Sequence, residues 1–165
     1  ILQTFLSAHF LRYRVVPLSR SSNVNHPLPK GQQRPPCVLI AEDDQALREL
    51  LSFALCRAGF SVACCNNGKR LLEMLENGID DSSTAADIVI TDLRMPALSG
   101  LEVLEALFDR PGRPPVICMT AFGDAKTHQT AIRFGATHTI DKPFDIDEMI
   151  GLVRAVYNYK NSDKE

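Results

Sequence analysis

Four acids, one hydroxyl and one amine recur where short apolar runs stop in this 165-residue chain. Glu42, Asp43 and Asp44 follow CVLIA, Asp92 follows DIVIT, Thr120 ends PVICMT, and Lys142 comes two residues after THTI. A carboxylate at the end of an apolar strand needs a partner, a metal or a reaction to offset its desolvation. Bare acids would conflict: at an effective dielectric of about 20, two like charges about 4 Å apart repel by roughly 4 kcal/mol. A hard divalent cation removes the conflict. Magnesium prefers oxygen ligands, keeps several waters and is typically held by one or two carboxylates while it bridges to phosphate. Asp43 and Asp92 therefore read as Mg2+ ligands, with Glu42 acting directly or through water, and Asp44 reads as the N-cap of the next helix. Thr120 and Lys142 can both contact the oxygens of a phosphoryl group on Asp92, and the Pro in DKPF restricts the backbone that aims the amine. Singly, Lys142 reads as a salt-bridge partner and Thr120 as an ordinary strand residue. A carboxylate nucleophile, a metal and fixed donors together describe phosphoryl transfer by positioning and charge stabilisation.

The elements that must position these groups are legible as alternating patterns. The apolar runs at 37–41, 60–64, 87–91, 115–120 and 137–140 read as strands. Between them lie helical periods at Leu47, Leu50, Leu51, Leu55 and Ala58, at Leu71, Leu72 and Leu75, and at Leu101, Leu104 and Phe108. A last helix carries Ile146, Met149, Ile150, Val153 and Val156. Ser99 with Glu102, and Asp145 with Glu148, have the spacing of capping boxes. Five βα units in strict alternation predict an α/β fold, a doubly wound five-stranded parallel sheet covered on both faces. Such sheets carry their sites at the carboxyl ends of the strands. Every group named above falls on that one edge.

Composition narrows the setting. An apolar content of 45% suits one buried core, and no apolar run reaches the roughly 18 to 20 residues of a membrane-spanning helix, so a soluble domain is expected. The formal charge of -2 hides an asymmetry: residues 1–41 hold five basic side chains and no acid, which leaves 13 basic against 20 acidic in the remainder. That acidic remainder argues against direct nucleic-acid binding, for which a basic stripe is expected. Residues 1–36 contain five of the ten prolines and no sustained period. They read as an N-terminal extension, disordered or carried over from upstream, with an acid-poor look faintly like a targeting peptide. Five cysteines without a CxxC pair read as buried, inert thiols in a reducing, cytoplasmic setting.

As a set, VLIAEDD, DIVITDLRMPALSGLEVL, ICMTAFGD and GATHTIDKPFD resemble the receiver domain of two-component response regulators. The resemblance covers residues 37–160, with 161–165 as a tail, and implies a flavodoxin-like fold of strand order 2-1-3-4-5. It further implies that Asp92 accepts a phosphoryl group from a sensor histidine kinase or phosphotransfer protein. Glu42, Asp43 and Asp92 would hold Mg2+ together with the backbone of Arg94, while Thr120 and Lys142 contact the phosphoryl oxygens. Met95 and Pro96 would shape the turn after the nucleophile, and Gly100 would permit close packing there. Such a protein is a phosphorylation-controlled switch and no enzyme beyond its own phosphorylation and dephosphorylation. Its downstream partner, or a second copy in a homodimer, would meet the face made by the fourth helix, fifth strand and fifth helix.

The sequence departs from the family at three places. Thr139 stands where an aromatic residue is usual, so the signal is expected to leave through the backbone of residues 121–126, where Phe122 and Gly123 supply bulk and freedom. The loop NGIDDSSTAA is long and reads as a solvated insertion. The chain stops at Glu165, which leaves open a stand-alone receiver or part of a longer protein. Three rivals fare worse. A haloacid-dehalogenase-type phosphatase would want an acid where Arg94 stands, and a flavodoxin-like cofactor binder would not place acids after the first strand. A pseudo-receiver that only binds partners would not need the intact acidic set.

Overall fold

The computed structural model describes residues 34–79, 85–121 and 125–162. The expected extension, apart from residues 34–36, the middle of the long loop, Phe122 and Gly123 lie outside the described residues. Five strands and five helices alternate: β1 (Cys37–Ala41), α1 (Gln45–Arg57), β2 (Ser61–Cys65), α2 (Gly68–Ile79), β3 (Ile88–Asp92), α3 (Gly100–Leu107), β4 (Val116–Thr120), α4 (Ala125–Arg133), β5 (His138–Asp141) and α5 (Ile146–Ser162). All pairings are parallel, in the order β2-β1-β3-β4-β5.

The period of two along each strand divides the core in two. Val38, Ile40, Ile88, Ile90, Ile117 and Met119 point to one face, where Leu51 and Leu55 of α1 and Met149, Val153 and Val156 of α5 cover them. Leu39, Ala41, Val89, Val116 and Cys118 point to the other, beneath Leu71 and Leu75 of α2, Val103, Leu104 and Leu107 of α3 and Ala131 of α4. β3 and β4 are buried throughout and β1 beyond its first residue, as parallel strands covered on both faces require, whereas β2 and β5 form the partly exposed edges.

Local chemistry sets the element ends. Asp44 caps α1 by accepting from the Leu47 amide at 3.0 Å. Gly59, at φ 98°, ends that helix in the left-handed region that a side chain resists. Ser99 and Glu102 form the expected capping box on α3. Asp145 differs from expectation: its carboxylate accepts from the Asp147 amide at 2.7 Å, one residue short of the box predicted with Glu148. Strands β2, β3 and β5 each run one residue later than the apolar runs suggest, which brings Asp92 and Asp141 inside the sheet. Phe108 is the C-cap of α3 and not part of it, and α5 extends to Ser162.

A residue in the turn between β3 and α3 and the first residue of α3 make opposite demands on their backbones. Ala97 adopts φ 67°, a conformation that costs an L-residue roughly 1–2 kcal/mol. Gly100 donates its amide to the Leu93 carbonyl at 3.2 Å, and a Cβ there would collide with the carbonyl oxygen of Asp92. Ala97→Gly is therefore expected to raise stability by up to about 1 kcal/mol, less the added unfolded-state freedom of glycine. Gly100→Ala, which must displace backbone, is expected to lower it by about 1–3 kcal/mol. Urea unfolding of both variants checks the pair; the same sign for both would show that the turn is set elsewhere.

Candidate functional site

Strand register brings the chemistry to one level. Ala41 pairs with Thr91 and Asp92 with Met119, so Glu42, Asp92 and Thr120 leave three adjacent strands together. Thr120 pairs with Asp141, and the Lys142 amide donates to the Thr120 carbonyl at 2.7 Å. That bond sets the lysine at the same edge.

Asp92 is 6% exposed and each of its oxygens has its own donor. Oδ1 accepts from the Arg94 amide at 3.0 Å, and Oδ2 accepts from Lys142 Nζ at 2.7 Å. Glu42, 1% exposed, accepts from the same Nζ at 2.6 Å through Oε2 and from the Asp44 amide at 3.2 Å through Oε1. Lys142 thus bridges two buried carboxylates. Asp43 is exposed, yet carboxylate oxygens of Glu42, Asp43 and Asp92 lie within 4.8 Å of one another. Arg48, one turn into α1, donates to the carbonyl oxygens of Glu42 at 2.6 Å and Asp43 at 3.3 Å and so braces the acidic turn.

Charge at the site is unbalanced. Burial pushes the Glu42 carboxyl above the usual range, and the bonds from Lys142 only partly oppose it, with Asp92 adding repulsion. Burial works against the Lys142 ammonium, but its bonds to Asp92 and Glu42 outweigh that and hold it above the ordinary lysine range. Three carboxylates against one ammonium form an oxygen-only donor set short of positive charge, which fits a hard divalent cation. Of the residues singled out from sequence, Glu42, Asp43, Asp92, Arg94 through its backbone, Thr120 and Lys142 all come to this edge.

Two residues were not singled out. Arg48 had a weak signal, a base one turn into the helix after an acid pair. His128 had none: on α4, its ring bonds Thr139 and Asp141 of β5. The thiols correct one expectation. Cys65 and Cys118 are buried, with burial pushing them up to about 11 and about 12, but Cys64 is exposed on the edge strand β2 and Cys37 and Cys56 are half-buried. An open apolar groove lined by Leu47, Leu50, Pro143, Phe144 and Ile146 borders Lys142. Among the described residues, no helix is long and apolar enough to cross a membrane.

Comparison with known proteins agrees with this geometry. The family described as the response regulator receiver domain matches residues 38–154. The regulatory protein AtoC of Escherichia coli is 34% identical over 128 residues, which cover 78% of this chain and 26% of AtoC. The DNA-binding transcriptional regulator NtrC of the same organism is 36% identical over 128 residues, covering 77% and 26%. The chain thus spans about a quarter of the length of these curated relatives. Among solved structures, the Francisella response regulator 1452 receiver domain superposes with a TM-score of 0.68 at 27% identity, covering 76% of this chain and 98% of that one. A CheY-like response regulator receiver domain protein from Methanospirillum hungatei, at 22% identity, shares the fold with a TM-score of 0.70, covering 78% and 98%.

Proposed function

Because the chain belongs to the response regulator receiver domain family of two-component signalling, we propose that Asp92 is its phosphoryl acceptor and that its donor is a phosphohistidine on a sensor histidine kinase or phosphotransfer protein. The observation that carries this reading is the setting of Asp92, buried at a strand end, held by the Arg94 amide and by Lys142, and beside Glu42 and Asp43. In the transfer, an Asp92 oxygen forms a bond to phosphorus as the bond from phosphorus to the histidine nitrogen breaks. Lys142 is already at hydrogen-bond distance from Asp92 and can pass its donors to the oxygens of the new acyl phosphate. Thr120, on the neighbouring strand, offers a hydroxyl to the same group.

Glu42, Asp43, Asp92 and the carbonyl of Arg94 would hold Mg2+, which when bound supplies charge neutralisation for acceptor and phosphoryl oxygens. The chain's own catalysis extends to its phosphorylation and dephosphorylation and no further. The groove beside Lys142 gives the donor protein an apolar surface next to the acceptor. A downstream protein, or a second copy of the chain, reads the outcome on the face of α4, β5 and α5. The cytoplasm, where kinases of this class present their phosphohistidine, is the proposed location.

Incubation with a small acyl phosphate donor, followed by intact-mass measurement, tests the reading. A phosphoryl adduct is expected with Mg2+, absent without it, and removed by hydroxylamine as an acyl phosphate should be. Labelling that ignores both the metal and hydroxylamine would sink it. A second expectation concerns pH. A proton on Glu42 competes with the cation, and this carboxyl keeps its proton to a higher pH than an ordinary glutamate. Mg2+ affinity should therefore begin to fall on acidification before ordinary carboxylates titrate. Calorimetric titration with Mg2+ checks this. In Glu42→Gln the fall should shift to lower pH; the same fall in both proteins would remove Glu42 as its cause.

A further inference from the structure

His128 takes no part in the chemistry above, yet both of its ring nitrogens are engaged. Nδ1 lies 2.6 Å from Oγ1 of Thr139, and Nε2 lies 3.0 Å from Oδ1 of Asp141. Thr139 and Asp141 are alternate residues of β5, so the pleat presents both on one face and a single ring on α4 spans them. A neutral ring with its proton on Nε2 donates to the Asp141 carboxylate and accepts from the Thr139 hydroxyl, so both bonds form without a net charge on the ring. The His128 side chain is 25% exposed, which limits the competition from water at the part-buried bond to Thr139, whereas the Asp141 carboxylate is 58% exposed and its bond meets more of it.

The position of this clamp matters more than its strength. Asp141 pairs with Thr120 and immediately precedes Lys142, so His128 holds the residue lying between the two groups assigned to the phosphoryl oxygens. At its other end, α4 begins at Ala125, five residues after Thr120. A displacement of Thr120 toward a phosphoryl group on Asp92 therefore has little chain in which to dissipate before it reaches α4. Directional bonds of 2.6 and 3.0 Å tolerate little sliding of α4 along β5.

We propose that His128 is a latch: by bonding Thr139 and Asp141 together it fixes α4 to β5 in the arrangement in which Lys142 bridges Asp92 and Glu42, and phosphorylation of Asp92 must release it. The proposal rests on the reading of Asp92 as phosphoryl acceptor. A bond made in one arrangement and lost in the other biases the equilibrium toward the first. Removing the latch therefore makes the switched arrangement easier to reach. His128 is a positioning residue and touches no reacting atom. Thr139, too small to act as the aromatic residue usual at its position, serves as one half of the latch.

Binding of beryllium fluoride in the presence of Mg2+ mimics the acyl phosphate and can be measured by calorimetry on the full chain. Thr139→Val and Asp141→Ala should each tighten binding by about threefold, as the loss of one modest hydrogen bond implies. His128→Leu should tighten it by about tenfold, and His128→Gln, which can keep one of the two bonds, should fall between. Affinity for Mg2+ alone should not change in any of them. In the His128→Leu background, Thr139→Val and Asp141→Ala should add nothing, since their shared partner is gone. A merely structural role would not produce that saturation. Weaker or unchanged binding in His128→Leu, or undiminished effects of the other two in its background, overturns the latch. A native chain that binds no beryllium fluoride, or binds it equally with Asp92→Asn, removes the acceptor reading and the latch together, whereas native binding with a flat variant series removes the latch alone.

Discussion

Asp92→Asn should reduce acyl phosphate formation at least about a hundredfold and, in the same protein, leave stability unchanged or raise it by up to about 1 kcal/mol. The first half follows because an amide offers no carboxylate nucleophile, while Glu42 is engaged by Lys142 and the Asp44 amide. The second half follows from the crowding of charge. Asp92 helps push Glu42 upward, so removing its charge relieves a buried neighbour and offsets the weakened bond to Lys142, which keeps Glu42, while the asparagine carbonyl can still accept from the Arg94 amide. Intact mass after exposure to a phosphate donor and urea unfolding without Mg2+ give the two readouts. Equal labelling would move the acceptor elsewhere. A large loss of stability would mean that Asp92 is held for the fold and not for chemistry.

The opposite balance is expected for Lys142→Ala. Its ammonium bonds both Glu42 and Asp92, and none of the three side chains is more than 18% exposed. Without it, two buried carboxylates face each other, and breaking such a pair is expected to destabilise the metal-free protein by about 3 kcal/mol near neutral pH. Glu42 limits the damage by taking up a proton, so the deficit should shrink on acidification. Mg2+ should restore much of the loss, because it supplies the missing positive charge, and it should bind about tenfold more tightly than to the native chain, having no ammonium to displace. Phosphorylation, where it still occurs, should leave the face of α4, β5 and α5 unmoved, since no amine is left to follow the phosphoryl oxygens. Unfolding with and without Mg2+, with calorimetry, decides the matter. A variant that loses Mg2+ affinity would show that Lys142 organises the carboxylates and does not compete with the metal for them.

Much of this site was visible before the fold because parallel strands here are short, apolar and followed at once by their functional groups. Once five alternating units are recognised, the positions of Glu42, Asp43, Asp92, Thr120 and Lys142 follow from where the apolar runs stop. The edges of the elements were harder to place. Asp92 completes β3 instead of following it, because its backbone still pairs with Met119, and sequence cannot distinguish a strand's last acid from the first acid beyond it. Helix α4 gave no apolar period to quote, since Ala131 is its one buried residue among those described. His128 was illegible for a different reason: its partners lie 11 and 13 residues away on a separate element, and nothing local distinguishes a clamping histidine from a solvated one. Cys64 misled because an apolar run on an edge strand reads like one on a central strand until its neighbours are known.

The sheet keeps the two sets of core side chains apart, and this makes the molecule a laminate of three plies. The ply of α1 and α5 and the ply of α2, α3 and α4 each bond to opposite sides of the same thin board and, among the described residues, share no buried side chain. A shift of α4 therefore needs no repacking beneath α1, where the groove beside Lys142 lies. The α1 side can therefore stay as it is while α4 changes place, so the groove and α4 are mechanically insulated from each other except at the carboxyl edge of the board, where Thr120, Asp141 and Lys142 sit side by side.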